Sequence, residues 1–148
     1  MEIAQFTYFQ QMAGIQCNPV PVELTYGLER ICMFVQDKAS VYDLIWNLDG
    51  VLYKDIFKEN EKQFSKYNFE FADIQNLFDT FNGLEKEAKN LLINRLPLPA
   101  YDQSLKASHV FNILDSRGAI SIAQRAGYIA RIRDLVKEVG EKWLEEKS

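Results

Sequence analysis

The run Leu24-Thr25-Tyr26-Gly27-Leu28-Glu29-Arg30-Ile31 is where the chain changes period. On its C-terminal side Leu28, Ile31, Cys32 and Val35 are apolar at i, i+3, i+4 and i+7, the spacing of one helix face. Met33 and Phe34 cover much of the remaining perimeter, so the pattern predicts a helix that is buried nearly all round. On the N-terminal side the chain reads as extended. Residues 2–11 are rich in β-formers, with Ala4, Phe6 and Tyr8 on one face and Gln5, Thr7 and Gln11 on the other. This predicts a strand with one packed and one polar face. Gly14, Pro19 and Pro21 bracket an irregular or edge segment, because proline cannot donate to the interior of a ladder. A second short extended piece is expected over residues 20–24.

Beyond the buried helix, Asn47-Leu48-Asp49-Gly50 has the composition of a turn. A charged helix is expected over residues 53–67. A longer one follows over about 72–93, where Ile74, Leu77, Phe78, Phe81, Leu84, Ala88, Leu91 and Leu92 form one stripe. Pro97 and Pro99 are expected to end that helix and open a linker. Ala107, Val110, Phe111 and Leu114 mark another helix, and Ile122, Ile129, Ile132, Val136, Val139 and Trp143 mark the last. The composition passes from strand-rich to helix-rich near residues 38–50. The fold class predicted is α+β, mostly α, with domains at 1–40 and 41–148.

With 148 residues, the chain can bury roughly 68–70% of the surface that it exposes unfolded. Hydrophobic residues at 47% and charged residues at 26% fit a soluble globular protein, and no apolar run approaches the roughly 20 residues of a membrane span. The start, Met1-Glu2-Ile3-Ala4-Gln5-Phe6, has neither the basic region nor the apolar stretch of a secretory signal. Cys17 and Cys32 are too few for a disulfide scaffold and fit no zinc spacing, which predicts buried thiols in a reducing cytoplasm and no metal site. A net charge of −4 argues against this chain gripping nucleic acid by itself. With His109 as the single histidine, triad chemistry would have to rest on one residue, and its neighbours Val110 and Phe111 suit helix packing better. The charged run over 54–66 reads as a solvated face, and Trp46 and Trp143 as core or interface anchors.

Arg30 stands out among the polar residues. A cation in a helix's first turn opposes the macrodipole, and Glu29 cannot compensate it because adjacent helical residues point about 100° apart. Two partners fit: a bound phosphate, reached jointly by Arg30 and the free N–H groups of the helix start, or a carboxylate elsewhere in the chain. Gly27 would let a ligand come close to the backbone. Gln5 and Thr7 are either a pocket floor or a solvated strand face, and Glu23 is either a recognition carboxylate or an exposed loop residue.

The Gly27-Leu28-Glu29-Arg30 core, opening an apolar helix, resembles motif three of the class II aminoacyl-tRNA synthetases. Four further segments resemble the α subunit of the bacterial α₂β₂ glycyl-tRNA synthetases: the upstream run from Met1 to Gln11, Ser40-Val41-Tyr42-Asp43-Leu44, Tyr67-Asn68-Phe69-Glu70 and Leu96-Pro97-Leu98-Pro99-Ala100-Tyr101. Motifs one and two have no counterpart here. The resemblance therefore implies the C-terminal half of such a subunit: residues 1–40 closing the antiparallel-sheet catalytic domain, and 41–148 a helical C-terminal domain. It implies ATP-dependent activation of glycine and its transfer to tRNA(Gly), with ATP and Mg²⁺ as the substrate complex and no tightly bound cofactor. Arg30 would be the catalytic, adenine-stacking residue, Gln5 and Gly27 would join it in binding ATP, and Thr7 and Glu23 would bind glycine. The implied partners are a β subunit that holds most of the tRNA and a second α subunit, in the cytoplasm and without a membrane. The competing expectation is a non-catalytic helical module that docks a partner subunit.

Overall fold

A computed structural model describes residues 1–147 and gives an α+β architecture dominated by helix. The chain divides into two compact units, residues 1–10 with 17–66, and residues 11–16 with 67–148. The structural division thus falls after Lys66, later than the change in composition.

In the first unit, strand β1 (Ala4–Tyr8) pairs antiparallel with strand β4 (Val22–Tyr26). The register sets Ala4 opposite Tyr26, Gln5 opposite Thr25, Phe6 opposite Leu24, Thr7 opposite Glu23 and Tyr8 opposite Val22. Opposed residues share a face, so the two period-two patterns combine into one apolar and one polar surface. The Phe6 and Tyr8 rings meet edge to face at 4.9 Å, as residues on one face should. Helix α1 (Leu28–Val35) leaves the sheet directly at Gly27. It ends where the Gln36 side chain both accepts from the N–H of Ile45 (2.8 Å) and donates to its carbonyl (3.1 Å). The expected turn follows: Asn47 Oδ1 accepts from the N–H groups of Asp49 and Val51, and Gly50 takes the left-handed φ of 84°. Helix α2 (Tyr53–Lys66) then packs Tyr53 and Phe57 against Trp46, with ring centroids 6.2 and 5.5 Å away.

The burial expected of α1 is not found. None of its residues is buried, Cys32 is exposed, and Phe34 keeps 79% of its surface open. All five residues of β1 and all five of β4 are likewise exposed. The periodicity reports which residues are apolar. It does not report whether an element lies across from them, and among the described residues nothing covers these faces.

The second unit is a three-helix bundle with a small hairpin. Helix α3 (Ile74–Ile93) starts where Asp73 accepts from the Asn76 N–H at 2.7 Å. The preceding residues, Tyr67–Phe71, wind as a π-helical turn, closed by Ala72 N–H to the Tyr67 carbonyl at 2.8 Å. Helix α4 spans Pro97–Ser116 and α5 spans Ile122–Glu145. Pro97 and Pro99 therefore open a helix where a linker was expected. Proline at the first helical position loses only an N–H that would be unpaired anyway. Ser121 and Gln124 cap α5 reciprocally. Phe81, Leu114 and Leu135 are the largest fully buried side chains, with Ala88, Ala100 and Ala107 letting the helices approach. His109 lies exposed on α4 instead of packing between helices. Strands β2 (Gln11–Met12) and β3 (Ile15–Gln16) form the hairpin. It rests on α5 at Gly140, where an added Cβ would sit 3.2 Å from Ile15 Cδ1 and 3.6 Å from Ala13 Cβ.

One ion pair reaches into the bundle. The Arg131 guanidinium donates from Nε to Glu85 Oε1 at 3.2 Å, from Nη2 to Glu85 Oε2, and from Nη2 to Asn82 at 2.8 Å. It also lies over the rings of Phe81 and Tyr128, 4.6 and 5.0 Å from their centroids. The hydrogen bond from Arg131, with a further one from Lys89, holds the Glu85 carboxyl below its ordinary value of 4.5. A depressed folded-state value adds stability above that ordinary value and loses it as pH falls through the folded one. Glu85→Gln should therefore cost about 1–2 kcal/mol at pH 7, discounted for the solvent that reaches Arg131. The gap to the parent should close as denaturation is followed to acid pH; a gap constant with pH would contradict the assignment.

Candidate functional site

The polar face of the β1–β4 pair and the start of α1 form the site. The Gly27 N–H donates to the Ile3 carbonyl at 2.9 Å, carrying the ladder one step past its last strand pair and bringing the helix start beside residues 2–5. An open cavity of about 300 Å³ forms there, lined among others by Glu2, Gln5, Thr25, Gly27 and Arg30. Three of the residues singled out in the sequence, Gln5, Gly27 and Arg30, thus meet in one place. Thr7 and Glu23 do not line the cavity. They oppose each other two residues further along the same polar face, about 7 Å from the Gln5–Thr25 pair.

Arg30 finds a carboxylate, as one of the two open readings required. Its Nη1 lies 3.8 Å from Glu2 Oε1, with the side chains 54% and 57% exposed. The same nitrogen donates to the Glu2 carbonyl at 2.9 Å. Such an exposed pair is worth little, and the Nε and Nη2 donors carry no protein partner among the described residues. The guanidinium is therefore steadied on one side and open on the other, so compensation by Glu2 leaves a bound anion possible. Glu29 faces away, its charge acting with Glu61 on Tyr53, whose phenol is held above the ordinary tyrosine range first by partial burial and then by these carboxylates.

Gly27 is not required by its backbone: φ is −82°, which any residue adopts. The space left by its missing side chain is taken by the Arg30 stem. An added Cβ would meet Arg30 Cδ at 3.3 Å, and its Cβ and Cγ at 3.6 Å. The glycine thus lets the arginine fold back across the helix start toward Glu2.

Two residues of the site were not singled out in the sequence. Thr25 lines the cavity and donates its hydroxyl to the Glu23 carboxylate. Its signal was available, since it alternates with Glu23 on the strand. Glu2 left no local signal, because it reaches Arg30 only through strand pairing across 28 positions.

Among the described residues no three His, Cys, Asp or Glu side chains cluster as a metal site, and no helix is long and apolar enough to cross a membrane. The cavity gathers the Glu2 carboxylate, the Gln5 amide, the Thr25 hydroxyl and one partly open guanidinium, a set of groups that can orient a polar, charged ligand. The whole sequence, residues 1–148, matches the family described as Glycyl-tRNA synthetase alpha subunit. The chain belongs to that family, whose ligase joins glycine to tRNA and whose alpha subunit implies a beta partner.

Proposed function

We propose that this chain supplies the nucleotide-facing and amino-acid-facing floor of a glycine-tRNA ligase site, with Arg30 as its charge-stabilising residue. The observation that carries this reading is the continuous polar strip from Arg30 and Gly27, through Gln5 and Thr25, to Thr7 and Glu23. ATP, taken as its Mg²⁺ complex, lies at the Arg30 end, and glycine at the Glu23 end. The ionised glycine carboxylate attacks the α-phosphate of ATP. A carboxylate oxygen–phosphorus bond forms and the bond to the departing pyrophosphate breaks; the terminal hydroxyl of tRNA then attacks the glycyl carbonyl, giving up its proton, and the carbonyl carbon–oxygen bond to AMP breaks as AMP leaves. No protein nucleophile is needed. The protein's part is orientation and stabilisation of phosphate charge. The flat face of Arg30 stacks on the adenine while its free donors reach phosphate oxygens.

The cavity is open, and Arg30 is the only cation among its lining residues. The several negative charges of a triphosphate need more than one cation. The 148-residue chain alone is therefore expected to show no glycine-dependent ATP–pyrophosphate exchange, and robust exchange by the purified chain would sink this part of the reading. A second reading, an assembly module that docks a β subunit or another α subunit in the cytoplasm, draws support from the exposed apolar faces of β1, β4 and α1. The two are separated by the variants below.

In a complete enzyme assembled with its β partner, Arg30→Ala should weaken ATP use or slow adenylate formation by about 2–4 kcal/mol. Arg30→Lys should restore only part, because an ammonium supplies charge but no stacking plane. A purely structural Arg30 would instead lower the melting temperature and leave ATP kinetics intact. For glycine, Glu23→Gln should raise the amino-acid requirement more than the ATP requirement, by about 1.5–3 kcal/mol for a lost charge-assisted hydrogen bond. Unchanged glycine dependence in steady-state kinetics would remove Glu23 from the site.

A further inference from the structure

An arginine with 54% of its side chain exposed has many rotamers open to it, and each one unlike the productive pose dilutes its use. Arg30 is nevertheless directed to one place. Its Nη1 donates to the Glu2 carbonyl at 2.9 Å and lies 3.8 Å from the Glu2 carboxylate, too far for a hydrogen bond but near enough for the charge to steer. That carboxylate is itself held, because Gln5 Nε2 donates to the same Oε1 at 2.9 Å. The neighbouring backbone is pinned by the Gly27 N–H to Ile3 carbonyl bond. Gly27 in turn leaves the room in which the Arg30 stem lies.

We propose that Glu2 is a positioning residue for Arg30, holding the guanidinium at a single nitrogen, with Gln5 fixing the carboxylate, so that Nε and Nη2 are presented to the nucleotide. This rests on the reading of Arg30 as an ATP-binding residue and adds what aims it. The carboxylate also supplies the compensation that a first-turn cation needs while the site is empty of phosphate. It does so without consuming the donors that a phosphate will use.

The test is a double-mutant cycle in the complete enzyme with its β partner: Glu2→Ala, Arg30→Ala and the double variant, with Glu2→Gln run in parallel in case the alanine protein assembles poorly. Glycine-dependent ATP–pyrophosphate exchange gives KM for ATP and for glycine, and thermal melting is recorded for each protein. Glu2→Ala is expected to raise KM for ATP about 3–5-fold, leaving glycine KM and melting temperature near the parent's. Adding it to Arg30→Ala should have no further effect. Glu2→Gln, which keeps an oxygen for Gln5 but no charge, should fall between. An effect of Glu2→Ala that persists undiminished in the Arg30→Ala background would overturn the positioning role. So would a rise in glycine KM alone, which would make Glu2 a ligand of the amino acid. Should Arg30→Ala itself leave ATP kinetics unchanged, the ATP role of Arg30 falls and this proposal falls with it. If Arg30→Ala weakens ATP use and only the coupling is missing, the role of Arg30 stands without Glu2.

Discussion

The register of the β1–β4 pair is the constraint on which the site depends. Side chains alternate across a strand with a period of two, so a slip of one residue would send Gln5, Thr7, Glu23 and Thr25 to the opposite side and bring Phe6, Leu24 and Tyr8 in their place. Two features resist that slip. The Gly27 N–H to Ile3 bond prolongs the ladder into the first residue before α1, and the sheet passes into the helix with no intervening loop. The position of Arg30 over the polar face follows from the strand pairing and from three residues of helix.

The two units solve different packing problems. In the bundle, alanines at the contacts and capped helix starts give a core with Phe81, Leu114 and Leu135 fully enclosed. Its buried Ser104 donates to the Ala100 carbonyl at 2.8 Å, and the partly buried Arg117 donates to the Ala72 carbonyl at 2.8 Å. The sheet unit has comparable apolar content but encloses little of it. Leu44 is its one fully sequestered hydrophobic residue among those described. Local stability is therefore expected to be uneven, with the helical unit the more resistant to opening.

Much of this architecture was legible in the sequence, and what was missed shares one cause. The stripes Leu77–Phe81–Ala88–Leu92 and Ala107–Val110–Phe111–Leu114 gave α3 and α4 because helical periodicity is a local property. The alternation of Gln5 and Thr7 puts both on the polar strand face, and the helix-dipole argument marks Arg30; of the two strand residues only Gln5 lines the cavity with it. Pro97 was misread because a proline just after one helix and a proline opening the next look alike until the partner helix is seen. The apolar perimeter of α1 predicts burial that the structure does not show, because an apolar pattern carries no information about what lies opposite. Glu2 escaped for the same reason: its meaning is set by a pairing 28 positions away.

The hairpin Gln11–Gln16 belongs to the helical unit although it is spliced between the two strands that build the site. Neither unit is a continuous stretch of chain. A cut after Lys66 does not separate two modules; it strips the helices of the hairpin that rests on Gly140 and leaves the strands joined by a loop without its seat. Recombination between relatives at that boundary would exchange mismatched halves of the hairpin–helix fit. With the hairpin so placed, the chain must cross from the site strands to the helical unit and back before the strand pair is closed.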